Sequence, residues 1–197
     1  MIGYDAFFYN GFLWRVHQGC LVPLSMPHLD PQLSNRDAKD LIRHRRAPMV
    51  RWESHFDQAD CGAWWHVIKD KPEVFENLEK KVRYMIRRAA KRFTVQACSR
   101  DSILRDGYAV YRSAFSRYKT FESLYSAEEF YKAVMDLPQE TEFWAVFDSD
   151  LKMVAFSENL VANDACFYVS MWLEPEAMKE FSAYLLFHEM NKYYLNE

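Results

Sequence analysis

From residue 142 onward the chain reads as three extended runs joined by short turns and followed by a helix, an order that few folds accommodate. Residues 142–148, 151–161 and 165–173 are filled with β-branched and aromatic side chains, and Ser149, Asp150, Asn163 and Asp164 stand between them. Runs of that composition joined by short Asn/Asp/Ser turns predict an antiparallel meander. Glu174, Pro175 and Glu176 open a helix expected to reach the last residues. Proline suits a first helical turn, and Glu176 suits the positive end of the helix dipole.

Upstream, extended runs at 4–9 and 12–17 flank Asn10 and Gly11, a strong hairpin signal. A third extended piece at 20–24 follows a turn at 18–19. Pro23, Pro27 and Pro31 then make an irregular connector. Ser34 or Asn35 caps a short helix to Arg46 with Leu33, Ala38, Leu41 and Ile42 inward, and 49–52 reads as a strand. A polar loop over 54–62 precedes a short strand at 64–68. The clearest helical pattern spans 72–92, where Phe75, Leu78, Val82, Met85, Ile86 and Ala89 share one face. A strand at 94–98 follows. Ser99 or Asp101 then caps a helix to Tyr118, and a Ser126/Glu129 capping box starts another that ends near Leu137. The expected division falls near 70–72. A strand-rich portion with one short helix covers 1–70. An α+β domain covers 71–197, its antiparallel or mixed central sheet packed with helices.

Composition narrows the function. Half of the 197 residues are hydrophobic and 17% are aromatic, enough for a sizeable core. A net charge of -3 supplies no global field for nucleic acid or an anionic membrane. Cys20, Cys61, Cys98 and Cys166 are scattered, as expected of reduced thiols in a cytoplasmic protein. The start carries no charged leader or apolar run of signal length, and no stretch approaches the roughly 20 apolar residues of a membrane span. The six histidines lack metal-ligand spacing, so no metal is expected. No phosphate-binding loop, dinucleotide glycine pattern or nucleophile elbow is present.

Residues 78–96, Leu-Glu-Lys-Lys-Val-Arg-Tyr-Met-Ile-Arg-Arg-Ala-Ala-Lys-Arg-Phe-Thr-Val-Gln, resemble the helix-then-strand opening of FemAB-like proteins. Residues 142–148, the hairpin after them and 175–195 are similar to the central sheet and following helix of the same group. That group belongs to the GCN5-related N-acyltransferase (GNAT) superfamily. The resemblance covers roughly residues 70–197. It implies a GNAT-like fold and transfer of an acyl or aminoacyl group to an amine. The donor would be a thioester such as acetyl-CoA, or aminoacyl-tRNA. The acceptor would be a small molecule or a cell-envelope precursor, in the cytoplasm. The different-class alternative is a non-catalytic binding or assembly module that retains the fold.

Two departures accompany the resemblance. CoA-binding members carry an Arg/Gln-x-x-Gly-x-Gly/Ala turn whose backbone cradles pyrophosphate. Here Lys179, Ser182 and Ala183 are the expected donor-binding residues, with Ser182 and Tyr184 in place of the glycines and Glu180 adding negative charge. The family also adds a strand after the long helix, whereas this chain stops. Three readings stand open: a sheet without its terminal strand, an open edge that drives self-association, or a fragment of a longer protein.

Several side chains are candidates for chemistry. Arg83, Arg87 and Arg88 on the basic face of the 72–92 helix are expected to bind substrate phosphate, from tRNA or an anionic carrier lipid. The competing reading is a solvated cationic helix end. Glu158, mid-strand, is a candidate general base or else a solvent-facing residue. Tyr184 is a candidate acid near a leaving thiolate, sharing a face with His188, or else both are packed core residues. Trp64, Trp65 and His66 form a stacking platform or simply core.

Overall fold

The computed structural model describes residues 6–17, 19–26, 28–54, 68–119, 123–162 and 164–196. The 54–62 loop beyond Ser54, Cys61, the Trp64/Trp65/His66 cluster, Pro27 and Asn163 lie outside the described residues. The chain divides into two compact units, 2–69 and 70–197.

In the first unit, β1 (Phe7–Tyr9), β2 (Phe12–His17) and β3 (Cys20–Pro23) form an antiparallel meander, and β4 (Met49–Val50) pairs parallel to β3. Asn10 and Gly11 both take positive φ, 50° and 80°, the geometry of a primed two-residue turn. Helix α1 (Asn35–Arg45) starts on a full capping box between Ser34 and Asp37. Those bonds, the Ser34 hydroxyl foremost, hold the Asp37 carboxyl below its usual range. Trp14, Leu21 and Leu41 are fully buried and form the core of this unit.

The second unit is built on β5 (Thr94–Cys98), β6 (Thr141–Phe147), β7 (Met153–Ala162) and β8 (Ala165–Leu173), antiparallel throughout and in that order. Helices α2 (Lys80–Ala89) and α7 (Ser182–Asn196) cover one face. There Ile86, Ala89, Trp144, Val146, Leu185, Leu186 and Met190 make the core. Helices α3 (Arg100–Ser102), α4 (Tyr108–Phe115) and α5 (Ala127–Met135) belong with the other face. There Tyr111 meets Trp172 edge-on at 4.7 Å, and Phe130 meets Phe156 at 6.3 Å. The class is α+β, as expected, and helix, strand, helices, three antiparallel strands and helix is the GNAT-like order.

Three elements depart from the expected pattern. The 72–92 helix is shorter: a 3₁₀ turn (Phe75–Asn77) comes first, and Leu78 and Glu79 are extended before α2 begins at Lys80. Its leading segment is held against α7 instead, with the Phe75 ring 5.3 Å from that of His188. The 99–118 helix is interrupted by a π turn (Ile103–Gly107) between α3 and α4. A Cβ on Gly107 would lie 2.9 Å from Ile103 Cγ2 and 3.3 Å from Phe130 Cζ, so this turn needs glycine for close approach. The final helix is broken in two: α6 (Pro175–Lys179) ends, Phe181 takes φ 68°, and α7 follows. In addition, Leu151 (φ 59°) belongs to the hairpin turn rather than to β7.

Candidate functional site

The break at Phe181 builds a tight turn between α6 and α7. A left-handed residue directly before a long helix lets the chain turn into the helix N-terminus, where free N–H groups and the dipole favour an anion. The left-handed position is Phe181, so the glycine-demanding site lies one residue before the expected Ser182, and Tyr184 sits within the helix. Ser182 is fully buried, and its Oγ has no hydrogen-bond partner among the described residues. Ala183 lines a groove on the same helix. Lys179 is tied to Glu176 at 2.6 Å.

Glu180 does not stand as a bare negative charge. Arg88 donates to its Oε2 through Nε (3.2 Å) and Nη2 (2.9 Å), and Arg92 Nη1 lies 3.6 Å from Oε1. The turn and the basic helix therefore meet, a contact between residues 92 apart that sequence order does not disclose. The hydrogen bonds that Arg88 donates, to Tyr84 first and then to Glu180, raise its guanidinium above its ordinary value.

The expected phosphate-binding residues share one groove of about 640 Å³, walled by Lys80, Arg83, Tyr84, Arg87, Arg88 and Lys91. Arg83 Nε is buried without a hydrogen-bond partner among the described residues. Arg87 lies over the Phe75 ring, 5.1 Å from its centroid. The face is thus not a row of equivalent solvated cations: Arg88 is engaged by an acid, Arg87 by a ring.

Glu158 is 7% exposed and accepts a hydrogen bond from Ser170 across the β7–β8 pair. The solvent-facing reading of Glu158 is therefore excluded. It shares the face of Phe156, by the alternation of a strand, and so points toward the α4–α5 layer. Tyr184 lies on α7 on the opposite face, 42% exposed; the structure does not bring these two candidates together. It does place Tyr184 and His188 along one groove of about 360 Å³ between α2 and α7. Beside Glu158 the β7–β8 register shifts: Glu158 faces Ser170 and Asn159 faces Tyr168, leaving Val169 as an extra residue. Such a bulge frees backbone groups from the ladder.

On the α7 side a buried polar network escaped sequence reasoning. Ser157 and Asn159 are fully buried, and Ser157 donates to Asn159 Oδ1. Tyr194 receives the Trp144 indole N–H at 3.0 Å and donates to Glu142 at 2.7 Å. Burial raises the Tyr194 and Tyr168 hydroxyls above their usual range. The only hint in the sequence was a run of three polar residues, Ser157-Glu158-Asn159, in an otherwise apolar strand.

Among the described residues no group of three or more His, Cys, Asp or Glu is placed to hold a metal ion. Cys20, Cys98 and Cys166 are free thiols. Among the described residues no helix is long and apolar enough to cross a membrane.

No protein-family model matches the chain. No curated protein matches it either. Among solved structures, the C-terminal DUF2156 domain of an Agrobacterium fabrum protein assigned as a lysylphosphatidylglycerol synthetase is similar over 97% of this chain and 67% of its own, with TM-score 0.52 and 14% identity. FemX is similar over 61% of this chain and 46% of its own (TM-score 0.48, 13% identity). The ribosomal-protein-S18-alanine N-acetyltransferase of Escherichia coli is similar over 50% of this chain and 56% of its own (TM-score 0.39, 14% identity). The chain spans about half the length of the last two. At such identity the likeness concerns the fold, and the DUF2156 domain, similar along nearly the whole chain, is the relevant one.

Proposed function

We propose that this chain is a cytoplasmic acyltransferase that moves an acyl or aminoacyl group from a thioester such as acetyl-CoA, or from aminoacyl-tRNA, to an amine. The observation that carries the reading is the α6–α7 turn: a left-handed residue directly precedes a 15-residue helix, and Arg88 of α2 and Arg92 just past its end converge on Glu180 in that turn. The donor's phosphates would lie at that helix N-terminus, beside Lys179, Ser182 and Ala183. Arg83, Arg87 and Arg88 would hold the donor's remaining phosphates or a tRNA backbone. A cell-envelope precursor or another small amine is the acceptor class. The amine attacks the acyl carbon directly, so catalysis comes from positioning and from a backbone N–H at the β8 bulge that meets the oxyanion.

One observation favours the second reading, a binding module without catalysis. Phe181 puts a side chain where close backbone approach wants none, and Ser182 is sealed. Thermal-shift titrations with acetyl-CoA and with aminoacyl-tRNA separate the two. A ligand that binds only the folded state raises Tm with its concentration. A rise with either donor supports the transferase, and flat responses to both leave the binding module. β8 stands last in the sheet order and carries no charged side chain, and it would be the surface for self-association. A concentration-independent monomer in sedimentation would remove that part.

A further inference from the structure

One and two turns beyond Tyr184, the groove between α2 and α7 holds a second set of reactive groups. Leu78, Val82, Ile86 and Phe187 give it apolar walls, and His188 and Asn191 line it. His188 Nδ1 lies 3.0 Å from Glu73 Oε1, and the two side chains are 13% and 11% exposed. Asn191 Nδ2 reaches the other Glu73 oxygen at 3.5 Å, and the Tyr168 hydroxyl donates to Asn191 Oδ1 at 3.0 Å. Both carboxylate oxygens are thus held from α7, and the Phe75 ring braces the imidazole.

A carboxylate only accepts hydrogen bonds, so Nδ1 carries the proton, and in the neutral form of the ring Nε2 is then the acceptor. This is the relation in which a carboxylate fixes the tautomer and orientation of a histidine that takes a proton from a nucleophile.

We propose that this groove is the acceptor site, that it takes a primary amine carried on an apolar body, and that His188 Nε2 receives the amine's proton. The inference rests on the acyl-transfer reading. The amine lone pair forms the C–N bond to the acyl carbon, and the thioester C–S bond, or the ester C–O bond of an aminoacyl donor, breaks. The nitrogen's proton passes to Nε2, and the imidazolium returns it to the leaving thiolate or alkoxide. Glu73 is a positioning residue. Among the described residues, the charged and titratable groups around the ring include Glu73 from the segment before α2, Arg87 through Phe75, Tyr184 on α7 and Tyr168 on β8.

The test uses the full chain with ¹³C-labelled histidine, octylamine as probe and octanoate as control. Octylamine is expected to shift the His188 ring signals saturably, octanoate is not, and Val82→Trp, which fills the groove, is expected to abolish the shift. Unmoved signals, or an equal response to octanoate, overturn the proposal. In acetyl transfer to octylamine, His188→Gln is expected to lower kcat about 100-fold with the KM for acetyl-CoA unchanged. Glu73→Gln is expected to move the acidic limb of the pH profile. A His188→Gln protein that transfers at the wild-type rate overturns the proton step. Octylamine binding without transfer from either donor sinks the acyl-transfer reading alone, and the groove then stands as an amine-binding site.

Discussion

Trp144, in the middle of β6, donates its indole N–H to the hydroxyl of Tyr194, in the last turns of α7. The bond spans 50 residues and fastens the final helix to the sheet. Tyr194→Phe keeps the ring but leaves the buried indole without this acceptor, and Glu142 loses a donor. A loss of about 1–3 kcal/mol is expected for such an orphaned group. An unchanged midpoint in urea unfolding would show the hydroxyl to be dispensable.

Glu180 occupies two arginines of the basic face. Both ion pairs are partly exposed, with the arginine side chains 42% and 60% accessible, and solvent screens such pairs, so little stability is at stake. Glu180→Gln is therefore expected to leave Tm within a few degrees. It frees Arg88 and Arg92, so the protein should elute from immobilised heparin at higher salt. Elution at the wild-type salt concentration would mean that these cations do not reach a polyanion.

Burial pushes the Cys98 and Cys166 thiols up to about 12. The folded state then keeps protons that the unfolded chain releases near its ordinary thiol value. This share of stability is whole below about pH 8.5 and fades as pH rises toward the folded-state value. Melting temperatures taken from about pH 8 to about pH 11 should fall less steeply in a Cys98→Ala/Cys166→Ala protein than in the wild type. The same thiols should alkylate slowly at neutral pH until the chain is unfolded.

Phe181→Gly removes a side chain from a left-handed position, which relieves roughly 1 kcal/mol of backbone strain, and it also removes the ring's packing against the core. Its informative effect is on the donor. If the turn receives phosphate, acetyl-CoA should raise the Tm of the glycine variant more than that of the wild type. An equal or smaller rise would place the donor elsewhere.

Features set by neighbours in the chain were legible in the sequence. The Asn10-Gly11 hairpin, the Ser126/Glu129 capping box and the β6–β8 meander rest on contacts a few residues long, and each is found. Helix ends were read less well. The apolar spacing from Phe75 to Ala89 continues through a segment that is not helical, because Phe75 and Leu78 still pack on the same core from a 3₁₀ turn and an extended linker. The break at Phe181 left no mark, since no glycine signals it. Of the site, Arg88 and Tyr184 were legible as helix-face residues, but their surroundings were not. Glu180 beneath Arg88, Glu73 beside His188 and Ser170 over Glu158 are tertiary partners, and periodicity carries no information about them.

The meander also sets an order of assembly. Strands β6, β7 and β8 pair in the sequence in which they are synthesised, so each closes only a short loop. Glu73 and His188 must find each other across 115 residues, a much larger entropic demand. The β6–β8 meander is therefore expected to form early and exchange slowly, and the segment leading into α2 is expected to dock last and lift first. When this outer strap lifts, the His188 imidazole loses the carboxylate that orients it while the sheet stays intact.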